Sequence, residues 1–330
     1  MSDAVRVGII GCGKMAQNHI GRFLAMPESE IVAIAEPIMQ GVESARSRYV
    51  EMLNVPVFAS HKEMLEKVPM DAVCITTPHT MHFTHIKDAF DAGMHILCEK
   101  PMVCSVRETK EVISWFESDP KRVDIVSYQC RFEGTYRYMR EGVAAGKIGK
   151  VQYIRALQCQ EWLRMSQGTW RLDPKLSGGG QLNDSASHLM DFLLWITDLS
   201  PARVSAFIDN CGAEVDINST VSIIFDNGAL GNIAIVGNAP QTHEEYSVVG
   251  DKGSYFYIDD EIYTDDENGK SVKPAHLPTS TTPTHNFIQC ILGEEENGSP
   301  VKGFLPVMQL AEAIWRSAAQ GGLPVDIDKD

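Results

Sequence analysis

A short glycine-bearing motif near the amino terminus has the residue types needed to bind a phosphate-rich ligand. Gly11-Cys12-Gly13-Lys14-Met15-Ala16 follows an apolar run and opens a helix-like segment, the setting that gives a GxGxxA pattern meaning. Gly11 permits a tight turn, Gly13 lets the backbone approach a pyrophosphate, and Ala16 allows close packing of helix on strand. We therefore predict a dinucleotide-binding loop.

An acidic side chain ends the second apolar run, about 20 residues after the loop. Glu36 at this position can accept hydrogen bonds from both hydroxyls of an adenosine ribose, and its charge would repel a 2′-phosphate. Arg46 and Arg48 lie further on and could offset that repulsion. The pattern favours NAD as the cofactor, with NADP less favoured.

An aspartate and a histidine stand four residues apart after a second glycine-rich stretch. On a helix, Asp184 and His188 would share one face and could act on one substrate. Histidine is the side chain that most readily exchanges a proton near neutral pH, so His188 is the candidate base for a hydroxyl proton. Asp184, near the helix start, is expected to stay anionic and to orient the imidazole or bind a neighbouring hydroxyl. The alternative is a capping Asp with a structural His.

Three histidines at three-residue spacing, His79, His82 and His85, resemble a metal-ligand cluster. On a helix they would spread over an arc of about 120°, which suits two ligands but is awkward for three. The sequence therefore predicts no metal site.

The elements that must carry these residues change character along the chain. Up to residue 125, apolar runs alternate with helix-length amphipathic segments, which predicts a doubly wound parallel sheet in an α/β Rossmann domain over residues 1–125. The predicted strands are Val5–Ile10, Glu30–Ala35, Ala72–Thr76, His95–Cys98 and Val123–Tyr128.

Residues 126–330 have the pattern of an α+β domain built on an open, largely antiparallel sheet. Asp226-Asn227-Gly228 and Asp251-Lys252-Gly253 are hairpin turns by composition, and Asp259–Lys270 is expected to be a solvated acidic loop. One sheet face should pack on helices and the other on a second subunit, giving a homodimer or homotetramer. The predicted strands are Val151–Gln158, Arg203–Ile208, Thr220–Phe225, Ala229–Val236, Tyr246–Val249 and Ser254–Ile258.

Composition limits the function classes. The 330 residues carry a net charge of −15, which would repel nucleic acid and anionic membrane surfaces. The eight cysteines show no CxxC pair, so they are expected to be reduced thiols. With no recognisable signal peptide or membrane-spanning run, a cytoplasmic location is expected.

Three motifs in order resemble the glucose-fructose oxidoreductase and inositol dehydrogenase family, often called Gfo/Idh/MocA. They are Thr77-Pro78-His79-Thr80-Met81-His82, Leu97-Cys98-Glu99-Lys100-Pro101 and the stretch from Gly178 to His188. The resemblance covers essentially the whole chain, including Arg131-Phe132 and Gly146-Lys147-Ile148-Gly149.

The resemblance implies roles for individual residues. Lys100 would donate to a substrate oxygen and stabilise the alkoxide that forms as hydride leaves carbon, whereas position alone would favour an ordinary surface lysine. His82 would line the nicotinamide side of the cofactor pocket, and the Lys100–Pro101 peptide bond would be cis. The cofactor-binding residues implied are Gly11, Gly13, Lys14, Met15, Ala16, Glu36, Thr77, Pro78, His82, Glu99 and Lys100.

Aromatic and basic residues are candidates for a substrate wall, because aromatic faces cover the apolar side of sugar rings and arginine meets hydroxyls. Beside Lys100, Asp184 and His188, the candidates are Arg131, Trp162, Trp170 and Arg171, near Tyr128 and Phe132. Aromatic residues at such spacing are more often part of a core, so the packing interpretation stands beside this one.

The resemblance implies an NAD-dependent dehydrogenase acting on a secondary hydroxyl of a sugar, cyclitol or related polyol, with Lys100, Asp184 and His188 as catalytic residues. A first alternative is a redox glycosidase that oxidises a sugar transiently and returns the hydride to the same NAD. A second is a dinucleotide-binding sensor without catalysis, which the presence of all three catalytic candidates argues against.

Overall fold

The computed structural model describes residues 4–266 and 268–328, and these residues form two compact units. The first unit comprises the described residues of Met1–Val103, Arg107–Gln129 and Thr281–Lys302, and the second those of Cys104–Val106, Cys130–Ser280 and Gly303–Asp330. The sequence-based division at residue 125 kept 281–302 in the second domain, whereas this segment returns to the first unit. Phe287 and Ile288 explain the difference, because both are wholly buried in one core with Val7 and Ile9.

The helices and strands are numbered in chain order. The strands are β1 Val5–Ile10, β2 Ser29–Ala35, β3 Val57–Phe58, β4 Ala72–Ile75, β5 His95–Cys98, β6 Asp124–Val126, β7 Val151–Cys159, β8 Pro201–Asp209, β9 Asn218–Phe225, β10 Leu230–Val236, β11 His243–Gly250, β12 Ser254–Ile258, β13 Glu261–Asp265, β14 Ser271–Val272 and β15 Val325–Asp326. The α-helices are α1 Lys14–Leu24, α2 Met39–Arg48, α3 His61–Lys67, α4 His82–Asp91, α5 Val106–Ser118, α6 Gly134–Ala144, α7 Trp162–Met165, α8 Pro174–Ser177, α9 Ser185–Thr197, α10 Pro283–Leu292 and α11 Leu305–Ala319.

The first unit is built on a six-stranded parallel sheet in the order β3-β2-β1-β4-β5-β6, which confirms the predicted Rossmann fold. The central strands β1 and β4 are apolar and almost wholly buried, because helices cover both faces of such a sheet. The carboxyl ends of β1, β2, β4 and β5 therefore share one edge. That edge carries the glycine loop, Glu36, Thr77 and Glu99.

The second unit is built on a nine-stranded sheet in the order β14-β13-β12-β11-β7-β10-β9-β8-β15. Both predicted hairpins are confirmed, β9 to β10 and β11 to β12. The sheet is largely antiparallel, as predicted, with one parallel pair, β7 and β10. The predicted acidic loop at 259–270 is wrong for Glu261–Asp265, which pairs with β12 as a strand; residue 267 lies outside the described residues.

One face of the nine-stranded sheet packs against α9 and α11, and the other stays open. Along β9 the side chains alternate, with Val221, Ile223 and Phe225 buried and Ile224 exposed. Within the described part of the chain, we find no helix with the length and apolar character needed to cross a bilayer.

Candidate active site

The predicted dinucleotide loop has the expected geometry. Gly11 has a φ of +86°, and a Cβ at this position would lie 2.7 Å from the Thr77 side chain, so only glycine fits. Gly13 caps α1, and apart from its chain neighbours no atom of the described residues lies within 4 Å of where its Cβ would be. Ala16 is wholly buried on the inner face of α1. The loop therefore leaves room for a ligand beside Gly13 and the first turn of α1, which starts with Lys14 and Met15.

Glu36 connects the end of β2 to this loop. Its carboxylate accepts the backbone N–H of Cys12 at 2.7 Å and that of Ile38 at 2.8 Å. Burial, reinforced by the nearby Glu36 charge, raises the pKa of the Cys12 thiol to about 11. Cys12 therefore stays a neutral thiol in the loop, and Glu36 is the charge that an adenosine ribose would meet.

The two arginines that could offset the charge of Glu36 have other partners. Arg46 donates to the carbonyl oxygens of Met52 and Val55, at 3.3 and 3.1 Å. The Arg48 guanidinium lies 5.3 Å from the centre of the Tyr49 ring. These contacts hold both side chains on α2 and the turn that follows it.

The next two strand ends are joined by a buried histidine. The ring nitrogens of His82 lie 2.8 Å from the Thr77 carbonyl oxygen and 2.9 Å from that of Pro101, and burial lowers the pKa of the imidazole. The side chain of His82 is wholly buried, and its place on the nicotinamide side of a cofactor pocket stays a prediction. Through these two contacts His82 holds together the loops after β4 and β5, and the first of these loops contains Thr77 and Pro78.

The other two histidines of the trio also have separate protein partners. His79 is buried with its ring 5.9 Å from that of His82. His85 contacts the Thr77 hydroxyl at 2.9 Å, and burial together with the neighbouring His61 and His82 lowers its pKa to about 4. Among residues 4–266 and 268–328, no group of three or more His, Cys, Asp or Glu side chains could hold a metal ion.

Glu99 and Lys100 follow β5 directly. Glu99 is buried, and its carboxylate contacts the ring of His19 at 2.8 Å and accepts the backbone N–H of Lys100 at 3.3 Å. The Lys100–Pro101 peptide bond is cis, as the resemblance implied. Lys100 is half-buried, at the edge of the sheet where ligands bind in folds of this kind.

The second unit has its own glycine loop, and a buried carboxylate holds it. Asp216 accepts the backbone N–H of Gly180 at 3.0 Å and of Leu182 at 2.7 Å, together with the indole N–H of Trp315 at 3.1 Å. A Cβ on Gly180 would lie 1.9 Å from the Asp216 carbonyl oxygen, so this close approach requires glycine. Asp216 thus fixes the stretch that leads into Asp184.

Asp184 immediately precedes α9, and two predicted substrate residues hold its carboxylate. The same oxygen, Oδ2, accepts the Trp162 indole N–H at 3.0 Å and the Arg171 Nε–H at 2.8 Å. The Arg171 guanidinium in turn lies 4.5 Å from the centre of the Trp170 ring. The structure therefore brings Asp184, Trp162, Trp170 and Arg171 together in one cluster.

His188 lies one helical turn after Asp184 on α9 and is half-buried, in line with the spacing argument. Arg131 is placed differently from the other candidates. It forms a buried two-fold hydrogen-bonded ion pair with Asp191, at 2.9 and 2.6 Å, and its guanidinium lies near the Trp195 ring. These contacts give Arg131 a packing role in the second unit, and its contact with substrate stays a prediction.

Three polar residues of these networks were not singled out from the sequence: His19, Asp216 and Thr284, whose hydroxyl lies 2.8 Å from Nδ1 of His19. His19 lies on the same face of α1 as the buried Ala16, Ile20 and Phe23. A histidine on an apolar helix face was the available signal. Asp216 and Thr284 give no comparable signal, because short polar residues before a strand or at a helix start are ordinary turn chemistry.

Two family models match the chain. Residues 5–126 match the model described as "Oxidoreductase family, NAD-binding Rossmann fold", and residues 136–256 match the "GFO/IDH/MocA C-terminal domain". The chain therefore belongs to the Gfo/Idh/MocA family. It is an oxidoreductase of that family.

Named relatives agree with this assignment. D-glucoside 3-dehydrogenase of Escherichia coli is 24% identical over 97% of this chain and 97% of its own length. Scyllo-inositol 2-dehydrogenase (NAD(+)) of Bacillus subtilis is 26% identical over 78% of this chain and 74% of its own. The WlbA dehydrogenase of Bordetella pertussis, solved in complex with NADH and UDP-GlcNAcA, superposes with a TM-score of 0.85 at 22% identity, over 100% of this chain and 99% of that one. This last likeness shows the fold.

Proposed function

We propose that this protein is an NAD-dependent dehydrogenase that oxidises a secondary hydroxyl of a sugar, cyclitol or related polyol. The observation that carries the substrate class is the Asp184 cluster, in which a carboxylate, an arginine and two indoles lie together one helical turn from His188. Such a set offers hydrogen-bond acceptors and donors for hydroxyl groups. The half-buried Trp170 offers a flat apolar face for a ring, whereas Trp162 is buried against Val215 and Ile217 and supports the cluster from the core. Dehydrogenases of glucosides and inositols among its relatives support the same class.

Each candidate residue has a role that follows from its chemistry. His188 accepts the proton of the substrate hydroxyl, and Lys100 donates a hydrogen bond to the oxygen as it becomes an alkoxide. Asp184, held by Trp162 and Arg171, accepts a hydrogen bond from a neighbouring hydroxyl and so orients the ring. A bound nicotinamide supplies the acceptor for the hydride that leaves the carbon, which converts the alcohol to a ketone.

The residues present fit NAD. The open space beside Gly13 and the amides of the first turn of α1 suit a pyrophosphate, and the Glu36 carboxylate suits two ribose hydroxyls. Glu36 disfavours a 2′-phosphate by charge, and the contacts of Arg46 and Arg48 keep those cations on α2. We therefore assign NAD rather than NADP.

An assay of cofactor stoichiometry tests the proposal. The purified protein is mixed with NAD and a panel of free sugars, inositols and aryl glycosides, while NADH absorbance and aglycone release are followed together. We expect NADH to accumulate with at least one free polyol. Aglycone release with trace NAD and no lasting absorbance change would instead establish a redox glycosidase. NAD binding with no turnover of any compound would favour the sensor.

The open face of the nine-stranded sheet supports a homo-oligomer. Tyr153, Leu230 and Ile224 lie side by side on β7, β10 and β9, and all three are exposed. An apolar stripe of this kind is typical of a protein contact surface. Light scattering at micromolar concentration should show a dimer or tetramer, and Leu230→Lys should shift it toward monomer; a monomeric wild type would contradict the proposal.

A cytoplasmic location is supported by the thiols. None of the eight cysteines, all of which lie among the described residues, forms a disulfide; three are buried and five are half-buried. Proteins of oxidising compartments more often pair their cysteines. Cell fractionation would check this, and recovery from an exported fraction would contradict it.

A further inference from the structure

Three side chains from distant parts of the sequence meet inside the first unit. His19 comes from α1, Glu99 from the end of β5 and Thr284 from the first turn of α10. Nδ1 of His19 lies 2.8 Å from the Thr284 hydroxyl, and Nε2 lies 2.8 Å from Oε1 of Glu99. All three residues are buried: His19 and Thr284 are 0% exposed and Glu99 is 5% exposed.

The buried carboxylate explains why these partners are needed. A carboxylate removed from water is destabilising unless hydrogen bonds or an opposite charge compensate it. Here the His19 ring serves one oxygen of Glu99, and the backbone N–H of Lys100 serves the other at 3.3 Å. The orientation of Glu99 is thus coupled on one side to α1 and on the other to the backbone at Lys100.

The hydrogen-bonding inventory assigns the form of His19. An ionised carboxylate can only accept, so Nε2 carries a proton toward Glu99. In a neutral ring Nδ1 is then an acceptor, and the Thr284 hydroxyl is the donor that matches it. Glu99 thus selects the tautomer in which His19 donates to it, and the Thr284 hydroxyl completes the set by donating to Nδ1.

We propose that His19 is a positioning residue, which holds Glu99 and the adjoining Lys100 backbone in place, and that Thr284 holds the His19 ring by donating to Nδ1. The inference rests on the proposed function, because Glu99 and Lys100 act on cofactor and substrate only if that function is right. In this proposal the segment 281–302 contributes to the site through the Thr284 hydroxyl on α10.

Paired substitutions separate this role from simple core packing. His19→Gln keeps an N–H donor at the Nε2 position, whereas His19→Asn places its amide near the Nδ1 position and leaves Oε1 of Glu99 without that donor. Thr284→Val keeps shape and removes the hydroxyl, and Thr284→Ser restores it. Thr109→Val, at another wholly buried threonine of the same unit, is the matched control.

We expect His19→Asn and Thr284→Val to lower kcat by about tenfold or more, on the scale of a lost hydrogen bond to a charged group. His19→Gln and Thr284→Ser should recover most of that loss, and Thr109→Val should match wild type in kcat and NAD affinity. Equal kcat for the Gln and Asn variants would overturn the proposal. So would losses confined to the melting temperature, with kcat and KM unchanged.

Nuclear magnetic resonance of 15N-histidine-labelled protein gives a readout that needs no substrate. The His19 signals, assigned by their absence from the His19→Gln spectrum, should show the tautomer protonated at Nε2, and Thr284→Val should shift the Nδ1 signal, because that nitrogen loses its hydrogen-bond donor. A wild-type ring protonated at Nδ1, or at both nitrogens, would overturn the assignment. Since this result is independent of turnover, it separates failure of the inference from failure of the proposed function.

Discussion

The two units each hold a glycine loop with a carboxylate that accepts backbone N–H groups. In the first unit Glu36 accepts from Cys12 and Ile38. In the second, Asp216 accepts from Gly180 and Leu182. The same chemistry therefore shapes both loops.

The surroundings of the two carboxylates differ. Asp216 is 6% exposed and also accepts from the Trp315 indole, so its hydrogen bonds are all used within the protein. Glu36 is half-buried at the carboxyl edge of the sheet, where it can exchange an amide partner for a ligand hydroxyl. Asp216 therefore only builds its loop, whereas Glu36 builds its loop and, in the proposed function, also selects the ligand.

The largest loss of turnover is expected from substitution of the proposed catalytic residues, His188 and Lys100. His188→Ala should lower turnover by about 10²–10⁴-fold, the usual cost of a lost general base. Lys100→Ala should lower it by about 10²–10³-fold, the cost of a lost oxyanion donor. Steady-state kinetics with calorimetric NAD titration checks both, and NAD affinity should stay close to wild type. If His188→Ala keeps more than about a tenth of wild-type turnover, the base role moves to Lys100.

The next largest loss of turnover is expected from substitution of Asp216, the carboxylate whose hydrogen bonds all lie within the protein. In Asp216→Asn one carboxylate oxygen becomes an NH₂ group that faces a backbone N–H, so the loop before Asp184 must shift. Misplacement of reacting groups by about 1 Å can lower turnover by about 10²-fold, and we expect a loss up to that size with NAD affinity unchanged. Asp251→Asn is the control, because Asp251 also accepts a backbone N–H but in a hairpin turn. Equal losses in both variants would remove the special role of Asp216.

The ligand-facing carboxylate should change cofactor choice rather than turnover. Glu36→Gln removes the charge that repels a 2′-phosphate, so the ratio of NADP to NAD affinity should rise by about tenfold, equivalent to about 1.4 kcal/mol. Calorimetric titration with both cofactors measures it, and Glu30→Gln, near the opposite end of β2, is the matched control. Tighter binding of NADP than NAD by the wild type would contradict the account and direct attention to Arg46 and Arg48.

The smallest effect concerns another carboxylate that accepts a backbone N–H, Asp124 at the start of β6. Burial raises its pKa from 3.8 to about 6, although it accepts the N–H of Val301. The folded state therefore binds the proton more tightly than the unfolded chain, so stability falls as pH rises from 3.8 to about 6. Asp124→Asn should raise the melting temperature by a few degrees at pH 7 and not at all near pH 4. A pH-independent difference would contradict this reading.

Much of the first unit could be predicted from the sequence, because its signals are local. A parallel sheet buried on both faces gives short apolar runs, and the glycine loop and Glu36 have fixed spacing around β1 and β2. Residues 281–302 could not be placed, because the amphipathic pattern of α10 does not say which core it covers. The burial of His82 was missed for a similar reason, since two carbonyl partners from separate loops leave no mark in the sequence.

The second unit was harder to predict in detail. Hairpin turns identified the pairs β9–β10 and β11–β12. The parallel pairing of β7 with β10 joins distant segments, and no local turn motif in the sequence indicates it. The strand β13 was not predicted, because its acidic residues are typical of an exposed loop. The spacing of Asp184 and His188 was visible in the sequence. Asp216, which fixes the loop before Asp184, lies 32 residues further along the chain, so its role was not visible.

The central claim is that this chain moves a hydride from a polyol carbon to NAD. A polyol that supports turnover, labelled with deuterium at the carbon that becomes the ketone, tests it most directly by mass spectrometry of the recovered cofactor. The account predicts one deuterium in the NADH for each ketone formed, and a slower rate than with unlabelled polyol if hydride transfer limits turnover. Ketone formation without deuterium in the NADH, or deuterium found only in solvent, would contradict it.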